Sequence, residues 1–294
     1  MTNQERGIIY IATGETFVSE AEVSAQTLKE HADLHTTLFT DIAVESEYFD
    51  TVEQLADPDH DFGDSILTRE MVPYKKNLFL DTDTYICDDI TSIFDLLDRF
   101  DIAAAHNPGS RTADGQEGYT ADAPEAFPQY NTGVLLFSGT EKINTFFDQW
   151  REEYFSNKSS MPWSLNQPSF RDALYKSDLS IATLPAEYNL RVKYSGSVGF
   201  ATDKVKILHG RHPAGLPSVA AELNKKQGQR VYTMKRWPIK ISTSRPSLSY
   251  YVRTILTEGS DHYTFRGRFV DSIKSRGVSE TVRLALKELK EKAK

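Results

Sequence analysis

Short apolar runs alternate with amphipathic segments along the first two thirds of the chain. Residues 7–13 (GIIYIAT) have the length and the isoleucine-rich composition of a strand that is buried on both faces. Residues 17–31 place apolar side chains at helical spacing, and residues 35–41 (HTTLFTD) form a second strand-like run. This order predicts an α/β fold with a mostly parallel sheet, whose ligands bind at the carboxyl ends of the strands.

Later segments continue this alternation. The pattern predicts helices over residues 65–71, 90–100, 141–154 and 165–176, and strands over residues 78–80, 101–106, 130–138 and 205–208. Pro168 is compatible with the last of these helices because it falls in the first helical turn. Beyond residue 217 the pattern predicts basic helices.

Charge divides the sequence at the same point. Residues 1–217 carry 17 basic and 35 acidic side chains, whereas residues 218–294 carry 17 basic and 7 acidic ones. We therefore expect two domains with these bounds, which meet different partners. The formal net charge of −8 is modest for 294 residues and argues against a nucleic-acid-binding protein.

The sequence also bears on the compartment in which the protein works. Cys87 is the single cysteine, which excludes an internal disulfide and a cysteine-rich metal site. Residues 1–10 lack the apolar stretch of a secretion signal, and no later window approaches eighteen consecutive apolar residues. We expect a cytoplasmic protein.

The sharpest local signal is the sequence LFLDTDTYI, in which Asp81 and Asp83 follow a buried strand. An extended chain would send the two carboxylates to opposite faces, whereas a turn at Thr82 would let both address one ligand. Carboxylates at such a place are hard oxygen ligands for Mg²⁺ or Mn²⁺. The alternative is a capping or turn pair, but two buried acids without a cation would be costly.

A second candidate is His209, which follows the strand predicted over residues 205–208. If that strand lies in the same sheet, its imidazole would emerge beside Asp83 and complete a manganese site. Gly210 would let the backbone approach a ligand, and Arg211 and His212 would be placed to pair with phosphate. The alternative is a surface histidine in a turn.

Side-chain amides form a third group of candidates. Asn131 and Gly133 stand at the entrance of the strand over residues 130–138, and Asn166 and Gln167 precede a predicted helix. Amides donate and accept hydrogen bonds, which suits a polyhydroxylated ligand such as a sugar. Ordinary turn and N-cap chemistry is the alternative for each pair.

Taken together, these blocks resemble the nucleotide-diphospho-sugar transferases of the GT-A fold, notably the glycogenin-like and lipopolysaccharide galactosyltransferase-like glycosyltransferases. The resemblance covers about residues 7–217 and runs, in the family's order, through GIIYIATGE, LFLDTDTYI, YNTGVLLF, LNQPSF and ILHG. It implies a GT-A (Rossmann-like) catalytic domain with a mixed, mostly parallel sheet flanked by helices, followed by a basic helical C-terminal extension. It also implies a hexosyltransferase that uses Mn²⁺ or Mg²⁺ and a nucleotide-diphospho-sugar donor, by family default a UDP-sugar.

The resemblance also implies roles for individual residues. Asp81, Asp83 and His209 would bind the metal, and Asp81 would also reach the ribose. The residues that would face the donor or acceptor sugar, and take part in catalysis, are Asn131, Asn166 and Gln167. The residues that would contact the nucleotide sugar are Ala12, Thr13, Gly14, Asp81, Thr82, Gly133, Gly210 and Arg211.

Two blocks depart from the family pattern. The family's acidic-Gln pair is Asn166-Gln167 here, which removes a carboxylate from the place where an inverting enzyme would keep its base. Retention of configuration is therefore favoured. The family's usual block His-x-x-Gly-x-x-Lys-Pro-Trp is not reproduced. If His212-Pro213-Ala214-Gly215 were aligned with the start of this block, the metal ligand would be His212. We favour His209 because it directly follows the strand.

Two other functions use the same residues. LFLDTDT also resembles the opening of the haloacid-dehalogenase phosphatases, in which Asp81 would be the nucleophile. That resemblance covers one motif only, and a complete strand-helix-strand unit precedes it. A catalytically silent protein that binds nucleotide sugars would have the same donor site.

Residues 247–294 combine apolar and aromatic side chains with arginine and lysine. This composition is compatible with contact either to the anionic inner surface of a membrane or to a second subunit. Membrane contact would suit a lipid-linked acceptor rather than a free saccharide. The alternative is that the apolar side chains pack on the main domain and the charges are solvated.

Overall fold

The computed structural model describes residues 4–107, 123–124, 126–160, 165–193, 198–225, 228–234, 240–243 and 265–292. The chain divides into two compact units, residues 1–243 and residues 244–294. The strands of the first unit are β1 Arg6–Ala12, β2 His35–Thr40, β3 Thr51–Gln54, β4 Lys76–Leu80, β5 Thr84–Ile86, β6 Ile102–His106, β7 Tyr130–Ser138, β8 Ile181–Leu184, β9 Leu190–Lys193, β10 Val198–Ala201, β11 Ile207–Arg211, β12 Arg230–Thr233 and β13 Lys240–Thr243. The helices of the two units are α1 Gly14–His31, α2 Glu141–Asn157, α3 Gln167–Lys176, α4 Leu216–Asn224, α5 Phe265–Arg276 and α6 Val278–Lys292.

The main sheet has seven strands in the order β3-β2-β1-β4-β7-β6-β8. All of its neighbouring pairs are parallel except those of β7, which runs antiparallel to β4 and to β6. The carboxyl ends of β1, β4 and β6 therefore share one edge with the amino-terminal end of β7. This arrangement confirms the predicted mixed, mostly parallel sheet flanked by helices.

Hydrophobic layers cover both faces of this sheet. Along β1, Ile8 and Tyr10 belong to one core cluster with apolar residues of α1, whereas Ile9 and Ile11 belong to a second cluster with residues of α2 and α3. Successive side chains of a strand point to opposite faces, so a strand covered on both sides is apolar at nearly every position. This explains the continuous run from residue 7 onward.

A smaller sheet with the order β5-β11-β9 lies beyond the turn that follows β4. β11 pairs antiparallel with β5 and parallel with β9. We predicted that His209 follows a strand, and that it would emerge beside Asp83 if that strand lies in the same sheet as residues 78–80. It lies instead within β11, in the separate sheet. β11 pairs with β5, and β5 follows β4 directly after the turn that contains Asp81 and Asp83, so this pairing brings His209 to the end of β4.

Two predicted helices are wrong in type. Residues 91–98 form a 3₁₀ helix rather than an α-helix, and residues 65–71 contain only the 3₁₀ turn Arg69–Met71. In the first of these segments Ile90, Ile93 and Leu96 recur every three residues and pack into the core. That spacing fits three residues per turn.

Residues after 217 also contain strands that the pattern did not predict. β12 pairs with β10 and with β13 to form a third sheet, and each of these strands is only four residues long, too short for a recognisable alternation. In the second unit, α5 and α6 meet at Gly277, whose φ of +81° suits a glycine. The membrane or subunit contact expected of residues 247–294 stays a prediction, and residues 247–264 of that segment lie outside the described residues. Among the described residues, no helix is long and apolar enough to cross a membrane.

Candidate active site

Asp81 and Asp83 flank a tight turn at the carboxyl end of β4. The Thr84 N–H donates to the carbonyl oxygen of Asp81 at 3.2 Å, and the Thr84 hydroxyl donates to the same oxygen at 2.8 Å. The hydroxyl of Ser24, on α1, lies 2.6 Å from the Thr84 hydroxyl. These contacts fix the turn at Thr82, so both carboxylates point to one place.

The imidazole of His209 lies between these two carboxylates. Its Nε2 is 3.1 Å from Asp81 Oδ2 and 3.3 Å from Asp83 Oδ1. The backbone of Gly210 donates to the Asp83 carbonyl oxygen at 2.9 Å, which locks β11 onto the turn. Gly210 has a φ of +128°, a conformation that L-residues rarely adopt, and a Cβ there would overlap the backbone of Val192.

Gly133 brings β7 close to the same cluster. Its carbonyl oxygen accepts a hydrogen bond from the Asp81 N–H at 2.8 Å. A Cβ at this position would overlap both the imidazole of His209 and the carboxylate of Asp81. The glycine of the YNTGV block is therefore required by close packing against the candidate metal ligands.

A chain of hydrogen bonds sets the orientation of the His209 ring. The Gly133 N–H and the Asn189 side-chain amide both donate to Asn131 Oδ1, at 3.1 Å and 2.8 Å. The amide of Asn189 is thereby oriented so that its Oδ1 faces His209 Nδ1 at 2.9 Å. Nδ1 donates this hydrogen bond, so Nε2 is the atom that His209 turns to the cluster: it donates to the carboxylates when the imidazole is protonated and offers its lone pair to a cation when the imidazole is neutral.

Arg211 and Glu20 border the cluster on the side of α1. The Arg211 guanidinium makes two hydrogen bonds of 2.6 Å to the Glu20 carboxylate, and its Nη1 lies 3.1 Å from Asp83 Oδ2. The Thr82 hydroxyl donates to Glu20 at 3.1 Å. Asp83 therefore has one oxygen beside Arg211 and its other oxygen beside the imidazole.

The charges around Asp83 hold it ionised. Burial alone would raise the pKa of this carboxyl, but the hydrogen bond to His209 and the positive charges of His209, Arg211 and Arg191 lower it to about 2. A carboxylate that is ionised at neutral pH needs no deprotonation before it binds a cation.

The turn after β1 lies at the same edge of the sheet, because β1 and β4 are parallel neighbours. Ala12 is buried at the end of β1, while Thr13 and Gly14 are half-buried. The Gly14 N–H donates to Asp41 Oδ1 at 2.8 Å, and Gly14 has a φ of +78°. The loop expected to hold the nucleoside is thus tied to the end of β2.

The amides at the start of α3 lie at this edge as well. Asn166 is buried at the N-cap position of α3, but its side chain makes no hydrogen bond to the first turn of the helix. Its Oδ1 accepts from the Thr132 hydroxyl at 3.1 Å, and its Nδ2 donates to the Ser65 hydroxyl at 2.9 Å. Gln167 Oε1 accepts from Asn107, which follows β6, at 2.6 Å. Asn166 therefore joins α3 to the entrance of β7, whereas Gln167 joins it to the end of β6.

Sequence reasoning missed three residues of this site: Glu20, Asn189 and Arg191. Glu20 lies in the middle of α1, where an acidic residue is typical of a solvated helix face. Asn189 and Arg191 stand at the start of β9, a four-residue strand without a detectable alternation. Only the pairing of β9 with β11, which aligns Arg191 with His209, brings these two residues to the cluster.

The cluster suits a divalent cation. One ligand atom from each of Asp81, Asp83 and His209 lies within 4.8 Å of the others. Two carboxylate oxygens and one imidazole nitrogen are donors that Mn²⁺ accepts, and Mg²⁺ shares the preference for oxygen. The Asp81 side chain keeps 35% of its surface exposed, so the cluster is open to a ligand on that side.

Comparison with known proteins identifies the fold. No protein-family model and no curated protein sequence matches the chain. Among solved structures, the galactosyltransferase LgtC in complex with donor and acceptor sugar analogues is similar over 71% of this chain and 88% of its own, with a TM-score of 0.51 and 15% identity. The chain has the GT-A fold. An active-site mutant of LgtC matches this GT-A chain with a TM-score of 0.52 and 15% identity, over 70% of this chain and 88% of its own.

Proposed function

We propose that this chain is a metal-dependent glycosyltransferase that moves a sugar from a nucleotide-diphospho-sugar, by default a UDP-sugar, to a saccharide acceptor. The observation that carries the proposal is the convergence of Asp81, Asp83 and His209 at the carboxyl edge of a GT-A sheet. Ligands of open α/β sheets bind at this edge. The similarity to LgtC, whose structure holds donor and acceptor sugar analogues, supports the same class of ligands.

In this proposal the residues of the chain hold and orient the donor. Asp81, Asp83 and His209 would bind Mn²⁺ or Mg²⁺, while Arg211 keeps one Asp83 oxygen turned away from the cation. A bound cation stabilises the negative charge that the diphosphate gains when the glycosidic bond breaks. The turn of residues 12–14 would take the nucleoside.

The amide groups bear on the stereochemical course. Asn166 uses its oxygen and nitrogen to join β7 to the segment around Ser65, and an amide cannot act as a general base at neutral pH. An inverting mechanism needs a carboxylate base near the acceptor hydroxyl. We therefore favour a retaining reaction, with Asn131 and Gln167 as the further polar groups beside the sugars.

The test is a product assay with purified protein, a panel of nucleotide sugars and Mn²⁺. We expect transfer to an acceptor or slow hydrolysis of one donor, loss of that activity in EDTA and its return with Mn²⁺. Asp83→Asn should lower the rate at least 100-fold. Asp101→Asn is the matched control: Asp101 precedes β6 at the opposite edge of the sheet and pairs with Lys142, so this variant should keep the activity.

Three outcomes would contradict the proposal. Full metal-stimulated turnover by Asp83→Asn would remove the assigned metal site. Hydrolysis of p-nitrophenyl phosphate that is lost in Asp81→Asn would favour the phosphatase alternative. Tight, Mn²⁺-dependent binding of a nucleotide sugar without any product would favour a silent binding protein.

A further inference from the structure

Arg191 is a half-buried cation beside the Asp81-Asp83-His209 cluster, and it has no role in the function proposed above. It lies on β9 directly opposite His209 in the parallel pairing of β9 with β11, so the two side chains share one face of the small sheet. Its Nη1 is buried and has no hydrogen-bond partner among the residues that the structure describes. Burial lowers the pKa of this guanidinium, whereas the carboxylates of Asp83 and Asp81 raise it.

Two other arginines of the same unit have partners for the nitrogens at the end of the side chain. Arg211 is held by Glu20 and Asp83. The buried Arg230 donates from Nη1 and Nη2 to the carbonyl oxygens of Gly228 and Asp203, and of its three nitrogens it is Nε that is buried without a partner among the described residues. Leaving a donor of a charged group buried and unpaired is costly, so such a donor needs an explanation.

The neighbouring carboxylates do not supply that partner. One Asp83 oxygen faces His209 and the other faces Arg211. Asp81 turns an oxygen toward His209 as well. Arg191 therefore contributes positive charge to the site while its own Nη1 donor remains free for a further anion.

We propose that Arg191 binds the diphosphate of the nucleotide-sugar donor. This inference rests on the proposed function, since the cation held by the cluster would bring the diphosphate to the same place. The planar fork of arginine matches the oxygens of a phosphate, and its charge does not depend on pH in the range where proteins are folded. Arg211 is then a positioning residue, held by Glu20 to orient Asp83, and Arg191 is the phosphate contact.

The test compares two titrations of the full chain: Mn²⁺ alone, followed by electron paramagnetic resonance, and manganese pyrophosphate, followed by calorimetry. Arg191→Met removes the charge and keeps the unbranched apolar stem of the side chain. We expect this variant to bind pyrophosphate about 10- to 100-fold more weakly, as for a lost charge-assisted hydrogen bond. It should bind Mn²⁺ as tightly as the wild type or more tightly, because a positive charge near the cation has been removed.

A loss of pyrophosphate affinity without a loss of Mn²⁺ affinity distinguishes phosphate binding from a structural role, which would weaken both. Lys225→Met is the control for a lost positive charge, since Lys225 is exposed and pairs with Glu222 at the end of α4; its two affinities should equal those of the wild type. If Arg191→Met does not fold, Arg191→Lys decides, with an expected loss of pyrophosphate affinity of about threefold to tenfold and no change in Mn²⁺ affinity.

Unchanged pyrophosphate affinity in the folded Arg191 variant would overturn the inference, as would a parallel loss of both affinities. Failure of the wild-type protein to bind manganese pyrophosphate at all would instead overturn the proposed function. The two failures are therefore distinguishable in one set of titrations.

Discussion

Replacing Asn189 by leucine would test whether the asparagine pair sets the proton position on His209. In the wild type, Asn189 Oδ1 accepts from His209 Nδ1 and its Nδ2 donates to Asn131 Oδ1. Leucine has the same branching at Cγ, with a somewhat larger volume, but makes neither bond. The neutral imidazole is then free to carry its proton on Nε2, the atom that faces Asp81 and Asp83.

The structure allows the size of the effect to be worked out. Loss of a partner that orients a metal-binding histidine typically weakens metal affinity about 10- to 100-fold. Asn131 Oδ1 still accepts from the Gly133 N–H, so the main group left without a partner is His209 Nδ1. That loss should lower the free energy of unfolding by about 1–3 kcal/mol.

Free Mn²⁺ can be measured by electron paramagnetic resonance and the free energy of unfolding by urea titration. Asn224→Leu is the matched control, because Asn224 also makes two side-chain hydrogen bonds, here with the N–H and C=O of Val205. This control should lose a similar free energy of unfolding and keep the wild-type Mn²⁺ affinity. An Asn189→Leu protein with unchanged Mn²⁺ affinity would refute the reasoning, and so would an equal loss of affinity in the control.

Two further predictions follow from packing. Gly133→Ala places a methyl group where His209 and Asp81 lie. We therefore expect a folded protein whose Mn²⁺ affinity, measured by calorimetry, falls at least tenfold. An affinity equal to that of the wild type would show that the imidazole and the carboxylate can move aside without loss of Mn²⁺ binding. Burial raises the pKa of the Cys87 thiol to about 12, so the native protein should react with a thiol reagent at pH 8 about 10- to 100-fold more slowly than a free cysteine, with full labelling in urea; rapid stoichiometric labelling of the native chain would contradict this.

Local sequence was sufficient for the elements of the main sheet. Residues 7–13, 35–41 and 130–138 are apolar at nearly every position because both faces of their strands are covered, and such runs are visible without a structure. The carboxylate pair at the end of β4 was visible for the same reason, since polar side chains that follow a buried strand stand at a sheet edge. The histidine was found because it directly follows an apolar segment and precedes a glycine.

The same reasoning from the hydrophobic pattern failed for segments that are short or whose apolar residues recur every three positions. Residues 91–98 repeat every three positions over less than three α-helical turns, and the pattern alone does not separate a 3₁₀ helix from an α-helix there. The strands β9, β10, β12 and β13 have four residues each, so their alternation cannot be recognised.

What the chain determines locally is therefore the alternation of buried strands and helices and the presence of acids, amides and a histidine at their ends. Tertiary structure decided which of these groups meet. The pairing of β11 with β5 and β9 brings His209 to Asp81 and Asp83, which lie more than a hundred residues earlier, and places Asn189 and Arg191 beside it. No local pattern encodes that meeting, because it depends on hydrogen bonds between strands that are distant in the chain.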